Sequence, residues 1–215
     1  MKPREYIEWC NIWVTGADQE RGLPRLLLVG DSIAQSYSGG VEKTLDGRFR
    51  CARLTTSRCA GDPQLNQALN LLLDEFPFAV IHFNNGLHGW DYDEPAYAKG
   101  LADVLDFIRA KSPGSRLIWG STTPVWKSGE SGTLDASKTA RVRERNRIAK
   151  AIAAERRIPI DNLFSRVIGH PEFVSQDGVH FNPAGQDALA RQVARAILRE
   201  AGRLTQPEAL AKDSI

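Results

Sequence analysis

The chain has 215 residues, of which 42% are hydrophobic and 25% charged, and a net charge of +2. That length predicts one domain over residues 1–215. The near-neutral charge argues against nucleic acid or an acidic membrane as a partner, and no apolar run reaches the 18 residues of a membrane span. Residues 206–215 are polar and are expected to form a tail that frays.

The cysteines and the N-terminus both favour a reducing compartment. The first ten residues lack the apolar segment of a secretory signal. Cys10, Cys51 and Cys59 are odd in number and form no close pair, which is atypical of a disulfide framework. We therefore expect a cytoplasmic protein. The sequence contains neither Cys-x-x-Cys nor His-Glu-x-x-His, so it predicts no metal site, and it implies no cofactor.

Five segments are predicted to form strands. The first, Leu26 to Val29, is apolar throughout, as in a strand that is buried on both faces. The second, Arg50 to Leu54, is mixed and is expected at an edge of the sheet. The remaining three are Phe78 to Phe83, Arg116 to Trp119 and Ile158 to Ile160.

Helical patterns alternate with these strands. Pro95 to Ala110 carries apolar residues at helical spacing, Ala136 to Arg157 forms a second long helix, and a third follows Pro183. Thr122 to Asp135 is a loop. Alternating strands and helices predict a three-layer α/β/α sandwich with a five-stranded parallel sheet. Its flavodoxin-like order, numbering these strands along the chain, is 2-1-3-4-5.

Ser32, Gly61, Asn84 and Thr122 each follow a predicted strand, so we expect them at one edge of the sheet, where such folds bind ligands. A serine hydroxyl becomes nucleophilic when an oriented base takes its proton. Asp177 and His180 supply an orienting carboxylate and a base on one short loop. The alternatives are that Ser32 caps a helix, that His180 packs before the last helix and that Asp177 only forms a turn.

Three motifs resemble blocks of the SGNH hydrolases, a subgroup of the GDSL esterase/lipase superfamily. They are Gly30-Asp31-Ser32, the glycine of Arg58-Cys59-Ala60-Gly61-Asp62, and Asp177-x-x-His180. The resemblance covers about residues 24–200 as a core and leaves an N-terminal extension and the C-terminal tail outside. It implies that Ser32 is the nucleophile, with His180 as base and Asp177 as the residue that orients the base.

The resemblance also implies an oxyanion hole, formed by the backbone N–H groups of Ser32 and Gly61 and by an asparagine side chain. Between the blocks that contain Gly61 and Asp177, the family has another, its third block, which normally reads Gly-x-Asn-Asp. At the equivalent position this chain has His82-Phe83-Asn84-Asn85-Gly86-Leu87-His88. Some bacterial members resemble this Asn-x-Gly-Leu-His form. Both Asn84 and Asn85 are candidates for the donor, and we favour Asn84.

The resulting hypothesis is a serine esterase that acts on a small-molecule ester, with an acetyl group on a carbohydrate as the preferred substrate by analogy with the family. His88, Trp90 and Trp126 are candidates for the substrate pocket, since aromatic rings suit sugar faces and acyl chains. The alternatives are a lipase or thioesterase, an acyltransferase with the same triad, or a non-catalytic sugar-binding module. The sequence leaves the oligomeric state open.

Overall fold

The computed structural model describes residues 5–19, 22–130 and 132–204, so the predicted fraying tail at 206–215 lies outside the described residues. One sheet contains the strands β1 (Cys10–Val14), β2 (Arg25–Gly30), β3 (Arg50–Thr56), β4 (Val80–Phe83), β5 (Arg116–Gly120) and β6 (Ile160–Asp161). Their order is β1-β3-β2-β4-β5-β6. The assignment of residues 1–215 to a single domain stays a prediction.

The five predicted strands are β2 to β6, they are parallel, and their order is the predicted one. The predicted number of five was wrong because β1 adds a sixth strand, antiparallel to β3. For the same reason the segment from Arg50 to Leu54 does not lie at an edge, since β3 pairs with β1 on one side and β2 on the other. The burial of the residues in β1 does not alternate, so no hydrophobic pattern predicts this strand. Backbone pairing with β3 defines it instead.

The helices are α1 (Ser32–Thr44), α2 (Pro63–Glu75), α3 (Glu94–Lys111), α4 (Ala136–Glu155), α5 (Leu163–Val167) and α6 (Pro183–Leu204), with a short 3-10 helix at Pro171–Phe173. The three predicted helices correspond to α3, α4 and α6. Helix α2 was not predicted, although Leu65, Leu69, Leu72 and Leu73 form a buried stripe at helical spacing.

Helices cover both faces of the sheet, which gives the predicted three-layer α/β/α sandwich. Leu28 of β2 belongs to a core with residues of α1, α5 and α6, and its neighbour Leu27 belongs to a second core with residues of α2, α3 and α4. Side chains alternate across a strand, so both faces of β2 are buried. In the described ranges, no helix is long and apolar enough to cross a membrane.

Candidate active site

Ser32 is the first residue of α1 and is separated from the end of β2 by Asp31 alone. Asp31 is the N-cap of this helix, because its carboxylate accepts a hydrogen bond from the backbone N–H of Ile33 at 2.9 Å. The capping role that was the alternative for Ser32 is therefore filled by its neighbour. The Oγ of Ser32 lies 2.8 Å from Nε2 of His180, although the two residues are 148 positions apart in the chain.

Asp177 contacts the side chain of His180 and also backbone N–H groups of the loop on which both residues lie. Its Oδ2 lies 2.6 Å from Nδ1 of His180, and its Oδ1 accepts the backbone N–H groups of Val179 and His180, each at 2.9 Å. Partial burial raises the pKa of Asp177, but these hydrogen bonds outweigh it and hold the pKa below its usual value. The turn-forming and imidazole-contacting arrangements weighed for Asp177 thus coexist in one carboxylate.

A neighbouring loop supports the segment that carries Asp177 and His180. The backbone N–H of Trp126 donates to the carbonyl of Gly178 at 2.7 Å, and that of Gly129 donates to the carbonyl of Gln176 at 2.8 Å. Gly178 has a φ of +75°, where glycine is favoured. The loop from Thr122 to Asp135 therefore packs its backbone against residues 176–180, which we call the histidine loop.

The two asparagines of the third block make different contacts. The Nδ2 of Asn84 donates to the carbonyl of Gly120 at 2.6 Å. Asn85 bridges the turn that follows β3, because its Oδ1 accepts the N–H of Ala60 and its Nδ2 donates to the carbonyl of Arg58, both at 2.9 Å. A primary amide has two N–H donors, so each Nδ2 retains one beyond these bonds.

Gly61 is tightly enclosed. A Cβ at this position would lie 2.9 Å from Cε1 of Tyr92, and a Cβ on Gly100 of α3 would lie 2.7 Å from the backbone N of Gly61. The ring of Tyr92 and the backbone of α3 therefore occupy the space around this glycine. Close packing therefore explains why residue 61 is a glycine, whether or not it forms a turn. Gly100, a glycine within a predicted helix, is the sequence signal that could have indicated this close packing.

The three residues predicted to line a substrate pocket all contact other parts of the protein. Nδ1 of His88 lies 2.8 Å from the carboxylate of Glu5. The ring of Trp90 lies beneath the guanidinium groups of two arginines of α4. Trp126 is only 3% exposed and packs edge-to-face on Phe181, so it offers little surface to a substrate.

Sequence reasoning missed Glu5 and the arginines of α4, because no local pattern links them to the strand ends. Within residues 5–19, 22–130 and 132–204, no cluster of three His, Cys, Asp or Glu residues could hold a metal ion. Cys10, Cys51 and Cys59 are free thiols.

The family comparison matches most of the chain. The profile of the GDSL-like Lipase/Acylhydrolase family covers residues 28–188, from β2 to the first turns of α6. The matched stretch includes Ser32, Asp177 and His180. None of the curated proteins matches the chain.

Several solved structures share the fold at low sequence identity. An aryl esterase from M. smegmatis has a TM-score of 0.67 and 16% identity, with 82% of this chain and 99% of that chain covered. A carbohydrate acetylesterase from Sinorhizobium meliloti has a TM-score of 0.64 and 14% identity, with 81% and 99% covered. An acetylxylan esterase from Geobacillus stearothermophilus has a TM-score of 0.63 and 17% identity, with 83% and 94% covered.

Proposed function

Since the chain belongs to the GDSL-like lipase/acylhydrolase family, we propose that it hydrolyses carboxylic esters with Ser32 as nucleophile, His180 as general base and Asp177 as the residue that orients the base. One observation carries the proposal: the unbroken series of contacts from Asp177 through His180 to Ser32, at 2.6 Å and 2.8 Å. Nucleophile, base and orienting carboxylate in hydrogen-bond reach of one another are the geometric requirement for this chemistry.

The reaction proceeds in two halves. Ser32 Oγ attacks the ester carbonyl carbon while its proton passes to Nε2 of His180. The tetrahedral intermediate collapses to an acyl-enzyme, and the leaving alkoxide takes that proton from the imidazolium. Water then gives a proton to His180 and attacks the acyl carbon, and the acid leaves as Ser32 recovers its proton. The charged Asp177 stabilises the imidazolium that forms in each half. Because the pKa of Asp177 is lowered, its carboxylate remains charged for this role.

The proposed oxyanion hole consists of the backbone N–H groups of Ser32 and Gly61 and the side-chain amide of Asn84. Asn84 has the strand parity of Val80, which packs in the same core as α1, the helix that starts at Ser32. Its Nδ2 retains a second N–H beyond the bond to Gly120. Asn85, the other candidate, also retains one N–H, but both the oxygen and the nitrogen of its amide are bound to the turn before Gly61.

The proposed substrate is a small-molecule ester with a short acyl group, such as an acetyl group carried on a carbohydrate. Structures with this fold include proteins described as a carbohydrate acetylesterase and an acetylxylan esterase, which supports that choice by analogy. A longer-chain lipase, a thioesterase or an acyltransferase would use the same triad. We propose no nucleic-acid partner, and the three free thiols are consistent with the reducing, cytoplasmic location that we propose.

The rival from another class is a sugar-binding module without catalysis. Such a module has no use for a serine in contact with a carboxylate-bound imidazole, so the geometry favours the enzyme. Two measurements separate the hypotheses. They are labelling by a fluorophosphonate probe, which reacts with activated serines, and hydrolysis of p-nitrophenyl esters of graded chain length.

Ser32→Ala should abolish labelling and lower kcat by about 10³-fold or more, since loss of a triad member has effects of that order. Ser36→Ala is the matched control, because Ser36 lies one turn later on α1 and its hydroxyl donates to the carbonyl of Ile33. Ester hydrolysis at an undiminished rate in Ser32→Ala would refute the assignment.

A further inference from the structure

Arg145 of α4 is fully buried, with 0% of its surface exposed. Burial lowers the pKa of its guanidinium, since a charge is disfavoured away from water. A buried cation is tolerated when its donors are satisfied by well-placed acceptors. The partners of Arg145 therefore indicate what the residue does.

Those partners are carbonyl groups of a single loop. Nη1 donates to the carbonyls of Gly86 at 3.0 Å and His88 at 2.7 Å, and Nη2 donates to the carbonyl of Gly89 at 2.7 Å. The carbonyl of Tyr92 lies 3.4 Å from Nη2. All four belong to residues 86–92, which we call the 86–92 loop, and this loop begins directly after Asn85, within the third block.

Aromatic rings enclose the same guanidinium. Its central carbon lies 5.2 Å from the ring centroid of Trp90 and 4.8 Å from that of Tyr97. The nearest carboxylate, Glu94, lies 3.7 Å from Nε and is bound more closely by Arg141, at 2.6 Å. Arg145 is thus held chiefly by backbone carbonyls and aromatic faces, and a simple ion pair does not explain its position.

The 86–92 loop in turn contacts the turn that carries Gly61. The ring of Tyr92 occupies the space where a Cβ of Gly61 would lie. Asn85, immediately before the loop, holds the carbonyl of Arg58 and the N–H of Ala60. Contacts at both ends of this segment therefore fix the turn over residues 58–61.

We propose that Arg145 is a positioning residue for the oxyanion hole: by gathering the carbonyls of the 86–92 loop, it fixes Tyr92 and Asn85 against the 58–61 turn and so holds the N–H of Gly61 in place. This rests on the proposed esterase function. Arg145 touches neither the substrate nor the reacting atoms, and it acts through the loop.

A lysine at this position keeps the charge but loses the planar fork that reaches several carbonyls at once. The loop then loses its anchor at Gly86, His88 and Gly89 and keeps the bonds from Arg141 to the carbonyls of Trp90 and Tyr92. We therefore expect the Gly61 donor to shift relative to the carbonyl oxygen of the substrate. A displacement of about 1 Å caused by a remote substitution can lower a rate by about 10²-fold. Because the oxyanion forms only after attack, the loss should fall on kcat and leave KM nearly unchanged.

The experiment compares Arg145→Lys with Arg143→Lys. Arg143 lies on the same helix, but it is exposed and places its guanidinium over Phe164, so it is a matched control for the chemical change. Hydrolysis of p-nitrophenyl acetate is measured per active site, with sites counted by fluorophosphonate labelling at completion. Arg145→Lys should lower kcat by about 10- to 100-fold with KM within about threefold of wild type, and the control should resemble wild type.

A kcat for Arg145→Lys within about twofold of wild type, or a change confined to KM, would overturn the proposal. If Arg145→Lys does not fold, Tyr92→Ala decides, because it removes the contact with Gly61 and should lower kcat in the same way. An unchanged kcat in Tyr92→Ala would overturn the proposal as well. Failure of the esterase function itself is recognised separately, as wild-type protein whose hydrolysis and labelling do not depend on Ser32.

Discussion

Gly178 and Trp126 approach each other so closely that no side chain fits between them. A Cβ on Gly178 would lie 2.2 Å from the carbonyl oxygen of Trp126, and the φ of Gly178 is +75°. The same two residues are joined by a backbone hydrogen bond of 2.7 Å. Since Gly178 lies between Asp177 and His180, this contact fixes the loop on which the proposed base depends.

We therefore expect Gly178→Ala to lower kcat by about 10²-fold or more, because the new methyl group must displace the histidine loop from Ser32. Gly114→Ala is the control, since a Cβ there meets nothing within 4 Å and its φ is not positive. Steady-state kinetics and thermal unfolding on both variants provide the test. A Gly178→Ala enzyme with wild-type kcat would show that the loop position is not critical.

The two asparagines of the third block should respond differently to substitution. Asn84→Ala is expected to lower kcat by about 10²-fold with little change in KM, because the proposed bond to the oxyanion forms fully only in the transition state. Asn85→Ala should lower kcat less and reduce the melting temperature more, since Asn85 bridges the 58–61 turn. Kinetics and melting curves of both variants check this, and a large loss of kcat at Asn85 alone would reverse the assignment.

Hydrolysis should be lost at acid pH, because the orienting carboxylate must be charged and the proposed base must be neutral to accept the serine proton. The pKa of Asp177 is held below its usual value, so its carboxylate stays charged down to that lowered pKa. Its contribution to the site is lost only as pH falls through that lowered pKa.

Initial rates of the wild-type enzyme from acid to neutral pH, with stability checked at each pH, test the prediction. Asp177→Asn should lower kcat by about 10⁴-fold, since an amide that accepts the Val179 and His180 N–H groups favours the wrong imidazole tautomer. A rate that is independent of pH over the whole range would contradict a histidine base.

The cysteines should differ sharply in reactivity towards a thiol reagent. Burial raises the pKa of Cys51 to about 12 and also raises that of Cys59, whereas Cys10 is exposed. Since the thiolate is the reactive form, we expect rapid reaction of Cys10 alone in the folded protein and of all three cysteines after unfolding. Counting the thiols that react with Ellman's reagent in each state is the test, with Cys10→Ser as the control. Rapid reaction of that variant while folded would contradict the prediction.

The local sequence was sufficient to predict the five parallel strands and the three long helices. An apolar run such as Leu26 to Val29 can be buried only between two layers, and the stripe on α3 has one apolar face to cover. Ser32, Asp177 and His180 could be proposed as a triad from short motifs that resemble those of a known family, and the structure brings their side chains into contact. The strands, helices and motifs depend on residues that are close together in the chain, so they can be recognised from the sequence alone.

Other features were decided by tertiary contacts between distant segments. Strand β1 exists because its backbone pairs with β3, and its side chains show no alternation in burial. Arg145 looks like any basic residue of a charged helix until α4 packs beside the 86–92 loop and its carbonyls surround the guanidinium. Backbone hydrogen bonds and buried charges depend on the partner that the fold supplies, and no local pattern of residue types specifies that partner.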